Sequence, residues 1–551
     1  MPANPYYDAA VRSMGQSWHN FVFAAFEPSA RLGLDKPPVD LWFQVASVKL
    51  FGFHSFALKL PEALAGTAAV VLVYDLVRRV FGSAAGLASA LALAVLPVSV
   101  LTSRSDTMDS LMMALIVLAA WLVVRNAETG RARYLNAAAV VLGVAFNVKL
   151  FQALIPLPAL GLLYLMASPL PRRRRLEHGV VAVLVLVAVS LSWLTAVSLA
   201  PASDRPFAIG SRHGNVWDAA FVFNGVHRLE HRAAGSGPAG PPSGSPSATR
   251  LITGSGARLG RRIGSELVPA VVFGGIAVIV ALGAGLPRRP LERAMAASIA
   301  LWLAIGFAGF SVMSRLEVRY LETLTPAIAM AFGIGVVALI RAAAQGRTRV
   351  LLAALACTSA YLVYLARGDH VLQVVVLATG VAAAALAVAG PNLHGMLPAV
   401  TGSLAVIALL AVPASDSIAI VREHRFDHST GGGYLSPAQT AALSRYLRGQ
   451  RAGERYEAAV LTVWQASNLV VTDDRPVLAT RNVDGAPMLS VSDLQHEVKL
   501  GALRYVLVGT PCMKPGRSPC PPASRWARDH GTLVRGVVPH LGLYRVGAVV
   551  R

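Results

Sequence analysis

Charge is scarce in this chain. Of its 551 residues only 14% are charged, whereas 55% are hydrophobic, and the mean hydropathy is +0.55. A soluble domain carries roughly 25% charged residues, so a water-facing globule is excluded for most of the length. Acids are scarcer than bases, 29 against 50, which leaves a net charge of +21. That excess does not read as nucleic-acid binding. Only six of the basic residues are Lys. The others are Arg, and many fall in short clusters between apolar runs (Arg172 to Arg175, Arg288-Arg289, Arg341 to Arg349), as cytoplasmic loops of a membrane protein do. Cysteine is rarer still, and three residues exclude a disulfide scaffold. Cys357 lies in an apolar run and reads as packing. Cys512 and Cys520 stand in a Pro/Gly-rich loop and are candidates to pair in an oxidising compartment. No cluster of His or Cys nearby argues for zinc, and no metal site is expected.

What the chain has instead is long apolar runs: 63–78, 84–103, 107–124, 134–149, 150–167, 180–200, 267–286, 294–313, 326–341, 350–366, 371–389 and 396–413. A span needs ~20 residues and ~17 at the short end, so 63–78, 134–149 and 326–341 are marginal. The reading is a polytopic α-helical membrane protein of about twelve spans. With the segment around Asp35 outside, five basic connections fall inside and the loops holding Asp106, Glu317 and Asp369 fall outside. Residues 1–57 and 201–265 are then outer loops, the second carrying a Gly/Pro/Ser tract from Gly235 to Pro246 expected to be flexible. From 414 the composition becomes that of a soluble domain. Ala458 to Thr462, Leu469 to Thr472, Tyr505 to Gly509 and Leu541 to Val546 read as strands, and Pro437 to Gln450 and Ser492 to Leu500 as helices. The expected domains are therefore 1–413, in the membrane, and 414–551, a small α/β domain on the extracytoplasmic side of the cell membrane. Asp473-Asp474 reads as a strand-ending turn, and the domain as an acceptor-binding element or a lid.

Ionisable residues gather on the outer side of this topology. They are Asp8, Asp35 and Lys36 in the first loop, Arg104 and Asp109 at the start of a span, Lys149 between two abutting apolar runs, and Arg319-Tyr320-Leu321-Glu322. Each has an ordinary explanation: a helix N-terminus for Asp109, a snorkelling Lys149, an i,i+3 surface pair for Arg319 and Glu322, an interfacial turn at Asp35-Lys36. Together they suggest a site for an anionic lipid headgroup, since ionisable residues at membrane depth are functional candidates by default.

The motifs Asn4-x-Tyr6-Tyr7, Arg12-Ser13-Met14, Ser17-Trp18-His19-Asn20, Asp35-Lys36-Pro37-Pro38, Arg104-Ser105-Asp106-x-x-Asp109 and Lys149 resemble the glycosyltransferase family 39 group, and within it a YkcB-like bacterial subgroup. That group has the GT-C fold and includes protein O-mannosyltransferases and aminoarabinose transferases. The resemblance implies an enzyme that moves a sugar from a polyprenyl-phosphate-linked donor to an acceptor on the outer face, with inversion. It needs no cofactor and no divalent metal. The partners are membrane lipid, the lipid-linked sugar and a glycan, protein or lipid acceptor. A carboxylate must take the proton of the acceptor hydroxyl, and cations must stabilise the departing lipid phosphate. Asp35, Asp109 and Asp8 are the candidate acids. Lys36, Lys149, Arg104 and Arg319 are the phosphate candidates, with Asn4, Tyr6, Tyr7, Tyr320 and Glu322 beside them.

Two departures from the family pattern follow. Family members carry an Asp-Glu pair just before the tyrosines, and its Asp is the base. Here that register reads Ala3-Asn4, and asparagine cannot act as a base. Either Asp35 or Asp8 has taken over, or the chemistry is altered, or the chain is inactive; Asp35 is the favoured reading. The family also places a hydrophobic helix ahead of the first outer loop, which would raise the count to about thirteen spans. Two other function classes compete, a flippase for lipid-linked sugars and a non-catalytic envelope-assembly protein. A transporter would place its charges mid-membrane and show inverted repeats, and neither is seen.

Overall fold

The computed structural model describes residues 4–228, 246–247, 251, 289–313, 316–344, 348–389, 397–427, 433–483, 485–513 and 520–547. The chain forms two compact units, one of Met1–Leu58, Trp193–Pro241 and His428–Arg551, the other of Lys59–Ser192 and Pro242–Asp427. Ala3, the Gly235-to-Pro246 tract up to Ser245 and the apolar run 267–286 lie outside the described residues.

Nine helices among the described residues are long and apolar enough to cross a membrane: Ser55–Phe81, Asp109–Thr129, Ala132–Leu154, Arg172–Leu199, Pro290–Val312, Thr325–Ala343, Thr348–Leu365, His370–Ala389 and Ala399–Arg422. They cover nine of the apolar runs, including the three marginal ones. Their outer faces are what lipid requires. Val371, Val374, Leu377, Val381 and Val388 of one helix and Val180, Val183, Leu184 and Val187 of another are exposed, patches that water would not tolerate. Cys357, read as packing, is exposed as well.

Two runs do not form single spans. Residues 84–103 divide into Ser83–Val95 and Pro97–Thr102, because the residue before a proline is pushed out of the helical region; Leu96 has ψ 126°. Residues 150–167 begin with a 3-10 turn, Leu150–Leu154, before the short helix Leu157–Ala167, with Leu150 at φ +50°. Close packing in this unit relies on small residues, as it must where lipid is as apolar as leucine. A Cβ on Gly333 would lie 2.2 Å from Ser89 Oγ, and one on Gly143 would lie 2.6 Å from Val189 Cβ. The last helix continues to Arg422, past the compositional change at 414. Its Ser417 hydroxyl is satisfied by the Val95 carbonyl at 2.8 Å, so a polar residue there does not end the helix.

The other unit is mixed α/β. Its N-terminal segment holds the helices Pro5–Met14 and Val39–Phe51. Between them β1 (Leu32–Gly33) pairs in parallel with β2 (Phe207–Ala208), which ties the N-terminal segment to the one that follows the helix Arg172–Leu199. The C-terminal residues form a five-stranded sheet of β3 (Ala459–Thr462), β4 (Leu478–Arg481), β5 (Tyr505–Val508), β6 (Thr532–Val534) and β7 (Gly542–Arg545), in the order β4-β3-β5-β7-β6. β3 is parallel to both neighbours, and β7 is antiparallel to β5 and β6. Tyr456, Leu478, Leu494, Val506 and Tyr544 fill its core.

Leu469 to Thr472, expected as a strand, belongs to the helix Val463–Asp473. Its buried positions Val463, Ala466, Ser467 and Val470 follow the i, i+3, i+4, i+7 pattern of a helix, which a four-residue window cannot reveal. Thr462 ends β3 and caps this helix by accepting from Gln465 N. Asp473-Asp474 therefore closes a helix, with Asp474 in the left-handed region at φ +55°. Cys512 and Cys520 are joined by a disulfide.

Candidate functional site

Ionisable side chains cluster separately in the two units. In the α/β unit the cluster is built on the Asp35-Lys36-Pro37-Pro38 turn. Pro5 at the first turn starts the helix that carries Tyr6, Tyr7 and Asp8, a position where the missing N–H costs nothing. Tyr6 donates its hydroxyl to Asp35 Oδ1 at 3.0 Å. Lys36 Nζ lies 2.9 Å from Asp35 Oδ2 and donates to the Tyr7 hydroxyl at 3.1 Å. Asn224, from the second loop, donates to Asp35 Oδ2 at 3.2 Å and to its backbone carbonyl at 2.7 Å. Asp35 is 5% exposed, so these donors replace water around the charge.

The environment shifts the partners in step. Burial pushes the Tyr6 hydroxyl well above its ordinary value, and the Asp35 carboxylate pushes the same way. Burial alone would lower the Lys36 ammonium, but Asp35 and Tyr7 outweigh it, so its net shift is upward. Asn4 and Asp8 are fully buried at the same helix start. Asp8 stands two residues beyond Tyr6, roughly 200° around the helix, and so leaves from the opposite side.

The turn ahead of the site is held by Glu27, a residue the sequence reading passed over. Its carboxylate accepts from the backbone of Ser29 at 2.8 Å and of Arg31 at 2.7 Å. Burial raises it, and the hydrogen bonds from Ser29, Arg31 and Leu32 offset part of that rise.

In the helical unit, Asp109 is the first residue of one span and Lys149 ends the helix that follows it. The two form an ion pair with Asp109 fully buried. Each end suits its charge, since a helix N-terminus favours an anion and a C-terminus a cation. The first turn of the Asp109 helix is also capped from a neighbouring helix, where Glu62 Oε2 accepts from Ser110 N at 2.8 Å.

The stretch Val318–Thr323 is a 3-10 helix. Its Tyr320 ring lies 5.4 Å from Lys149 Nζ. Arg319 pairs with Asp427 at 3.0 Å, and Glu322 accepts from Ser99 at 2.8 Å. Both are buried with separate partners, so they are not a surface pair. Burial pushes Glu322 up to about 8; the Ser99 hydrogen bond opposes that rise and the Asp109 charge adds to it.

Asp427 and Phe426 were not legible as site residues. Phe426 carries the Lys59 ammonium 3.3 Å from its ring centre and the Arg104 guanidinium at 6.0 Å. Among the described residues Arg104 makes no ion pair, and its Nε is buried without a partner. A half-buried guanidinium with an unsatisfied donor is suited to an incoming anion.

Residues 35–193 match the family described as "Dolichyl-phosphate-mannose-protein mannosyltransferase", and residues 443–530 match the one described as "Putative mannosyltransferase YkcB-like, C-terminal". YycA of Bacillus subtilis (strain 168), described in the same terms, is 29% identical over 92% of this chain and 88% of its own. YkcB of the same organism is 40% identical over 43% of this chain and 33% of its own. In fold, the chain is similar to ArnT from Cupriavidus metallidurans bound to undecaprenyl phosphate. The TM-score is 0.59 at 17% identity, over 100% of this chain and 94% of that one. The chain is thus similar to one family from its first-loop turn through residue 193 and to the other over part of its C-terminal domain, and it shares its fold with ArnT.

Proposed function

We propose that this protein transfers a sugar from a polyprenyl-phosphate-linked donor to a hydroxyl of a cell-envelope glycan, protein or lipid, at the extracytoplasmic face of the plasma membrane and with inversion. The observation that carries this reading is the Asp35 carboxylate, buried yet held by Tyr6, Asn224 and Lys36. In the step envisaged, the acceptor oxygen attacks the anomeric carbon, the bond from that carbon to the phosphate oxygen breaks, and the hydroxyl proton passes to Asp35. The polyprenyl phosphate leaves with its negative charge matched by cations.

Lys36 gives the site its timing. Paired with Asp35, it weakens the carboxylate as a base; drawn to a donor phosphate, it leaves a stronger one. Asp8 is the reserve acid. Lys149, Arg104, Arg319 and Tyr320 are assigned to the lipid phosphate, with Asp109 holding Lys149 in place and Glu322 beside them. The extracytoplasmic assignment of the C-terminal domain is supported by its disulfide, a bond that persists in oxidising compartments. A non-catalytic reading has Asn4 in its favour, standing where relatives place their acid.

The test is transfer of label from a radiolabelled polyprenyl-phospho-sugar, with free polyprenyl phosphate measured alongside. The expected result is coupled release and transfer, abolished by Asp35→Asn. Absence of both across sugar donors favours the non-catalytic reading, and full activity in Asp35→Asn removes Asp35 as the base.

A further inference from the structure

Within the α/β unit, the helix Pro5–Met14 lies against the helix Val463–Asp473 of the C-terminal domain. Two contacts fix it there. At one end Arg12 Nη1 donates to the Val471 carbonyl at 2.5 Å, Arg12 Nε lies 3.3 Å from Asp474, and Gln16 donates to Asp474 at 2.6 Å. Val471 belongs to the last turn, whose carbonyls lack helical partners, so Arg12 satisfies a group that would otherwise be orphaned. At the other end the Trp464 ring lies 5.3 Å from that of Tyr6, tilted by 53°, with Tyr434 a further 5.4 Å on.

The two contacts are in register. Tyr6 to Arg12 is roughly 9 Å along one helix and Trp464 to Val471 roughly 10 Å along the other. Two anchors at matching separation set the height of the first helix and its rotation about its own axis. Tyr6 is closed in on its remaining sides by Tyr7 at 5.3 Å and Phe26 at 5.2 Å, and its hydroxyl ends on Asp35.

We propose that Trp464 is a positioning residue for the reaction: the C-terminal domain, through Trp464, fixes the Tyr6 ring and thereby the orientation of the Asp35 carboxylate. This rests on the reading of Asp35 as the base. The C-terminal domain is then part of the catalytic apparatus, working through a carboxylate it does not itself contain. The groups that face Asp35 include Tyr6 from the first helix, Lys36 from its own turn with Tyr7 behind it, and the Asn224 amide. Trp464 brings no charge of its own, so its effect has to pass through Tyr6.

That route makes a prediction that simple loss of structure does not. A hydrogen bond to a carboxylate favours its charged form, so loosening Tyr6 raises the pH at which Asp35 becomes a competent base. Trp464→Ala and Tyr6→Phe should each move the acid limb of the kcat/KM profile upward by about one pH unit. Each should lower kcat about ten-fold at neutral pH and leave the donor KM unchanged. Trp464→Phe keeps a ring against Tyr6 and should restore most of the rate. The double variant Tyr6→Phe/Trp464→Ala should shift the limb no further than Tyr6→Phe alone. Additive shifts, or a change in KM with kcat intact, would overturn the proposal by placing Trp464 on the substrate or on another path. Loss of transfer in Asp35→Asn together with an unmoved limb in Trp464→Ala removes this inference alone. Full transfer in Asp35→Asn removes the base and this inference together.

Discussion

Lys149 and Asp109 form a buried ion pair between the end of one membrane helix and the start of the one before it in sequence. Side-chain exposure is 9% for Lys149 and none for Asp109, so neither charge has water to fall back on. Removing one partner of a buried pair costs about 3–5 kcal/mol, whereas replacing both with well-packed hydrophobic residues of similar volume is often neutral or stabilising. Asp109→Asn and Lys149→Met should therefore each lower the folded yield and melting temperature in mild detergent. The hydrophobic double variant Asp109→Leu/Lys149→Met should recover most of that stability without recovering transfer. Recovery of transfer would show that the pair is structural and that the lipid phosphate is held elsewhere.

Glu322 should tolerate loss of its charge but not of its shape. With burial raising it to about 8, it is neutral at pH 7 and already resembles an amide. Glu322→Gln should keep both fold and activity near wild type. Glu322→Ala leaves the buried Ser99 hydroxyl without its acceptor and opens a cavity, at about 2–4 kcal/mol. Thermal melts of the two variants side by side check this; equal loss in both would mean that the charge itself is needed.

Much of the membrane unit was legible because lipid leaves a chain few choices. A helix must satisfy its own backbone there, so length and apolarity sufficed to find the nine described helices able to cross a membrane, even marginal ones such as 134–149, which extends to Ala132–Leu154. What failed was local. Pro97 breaks an apolar run that composition treats as continuous, and Leu150 turns the chain by adopting φ +50°. In the C-terminal domain, β3 and β5 stood out as apolar strands, but Val463–Asp473 did not stand out as a helix because its signal needs eight residues to declare itself. The candidate site was half visible. Asp35 and Lys36 announced themselves by charge beside Pro37-Pro38. Asn224, Phe426 and Asp427 matter through contacts with residues distant in sequence, and no local pattern marks them.

The disulfide offers a test of sidedness as well as stability. Cys512 and Cys520 close a short loop, for which chain entropy alone gives about 2–3 kcal/mol. Serine at both positions should make the C-terminal domain more readily cleaved by protease while leaving the membrane helices intact. In intact cells a membrane-impermeant maleimide should reach these cysteines only after reduction. Labelling that requires cell lysis would place the domain in the cytoplasm and reverse the topology.

Glu457 gives the C-terminal domain a stability that depends on pH in a direction unusual for a carboxylate. It is 5% exposed and lies beside Asp473, whose own oxygen already accepts from Ser444 at 2.7 Å and pairs with Arg448. Two buried carboxyl groups side by side cannot both ionise cheaply. Burial, reinforced by the Asp473 neighbour, pushes Glu457 up to about 9 from an ordinary 4.5. The folded state thus holds a proton that the unfolded chain releases above pH 4.5. The unfolded state binds fewer protons throughout that interval, so stability falls as pH rises from about 4.5 to about 9. Glu457→Gln keeps the neutral form at every pH and should flatten this dependence, raising the melting temperature most at pH 8 to 9 and least near pH 5. Melting curves of the domain's near-ultraviolet signal across that range decide the matter; parallel slopes for wild type and Glu457→Gln would mean that Glu457 is ionised in the folded protein.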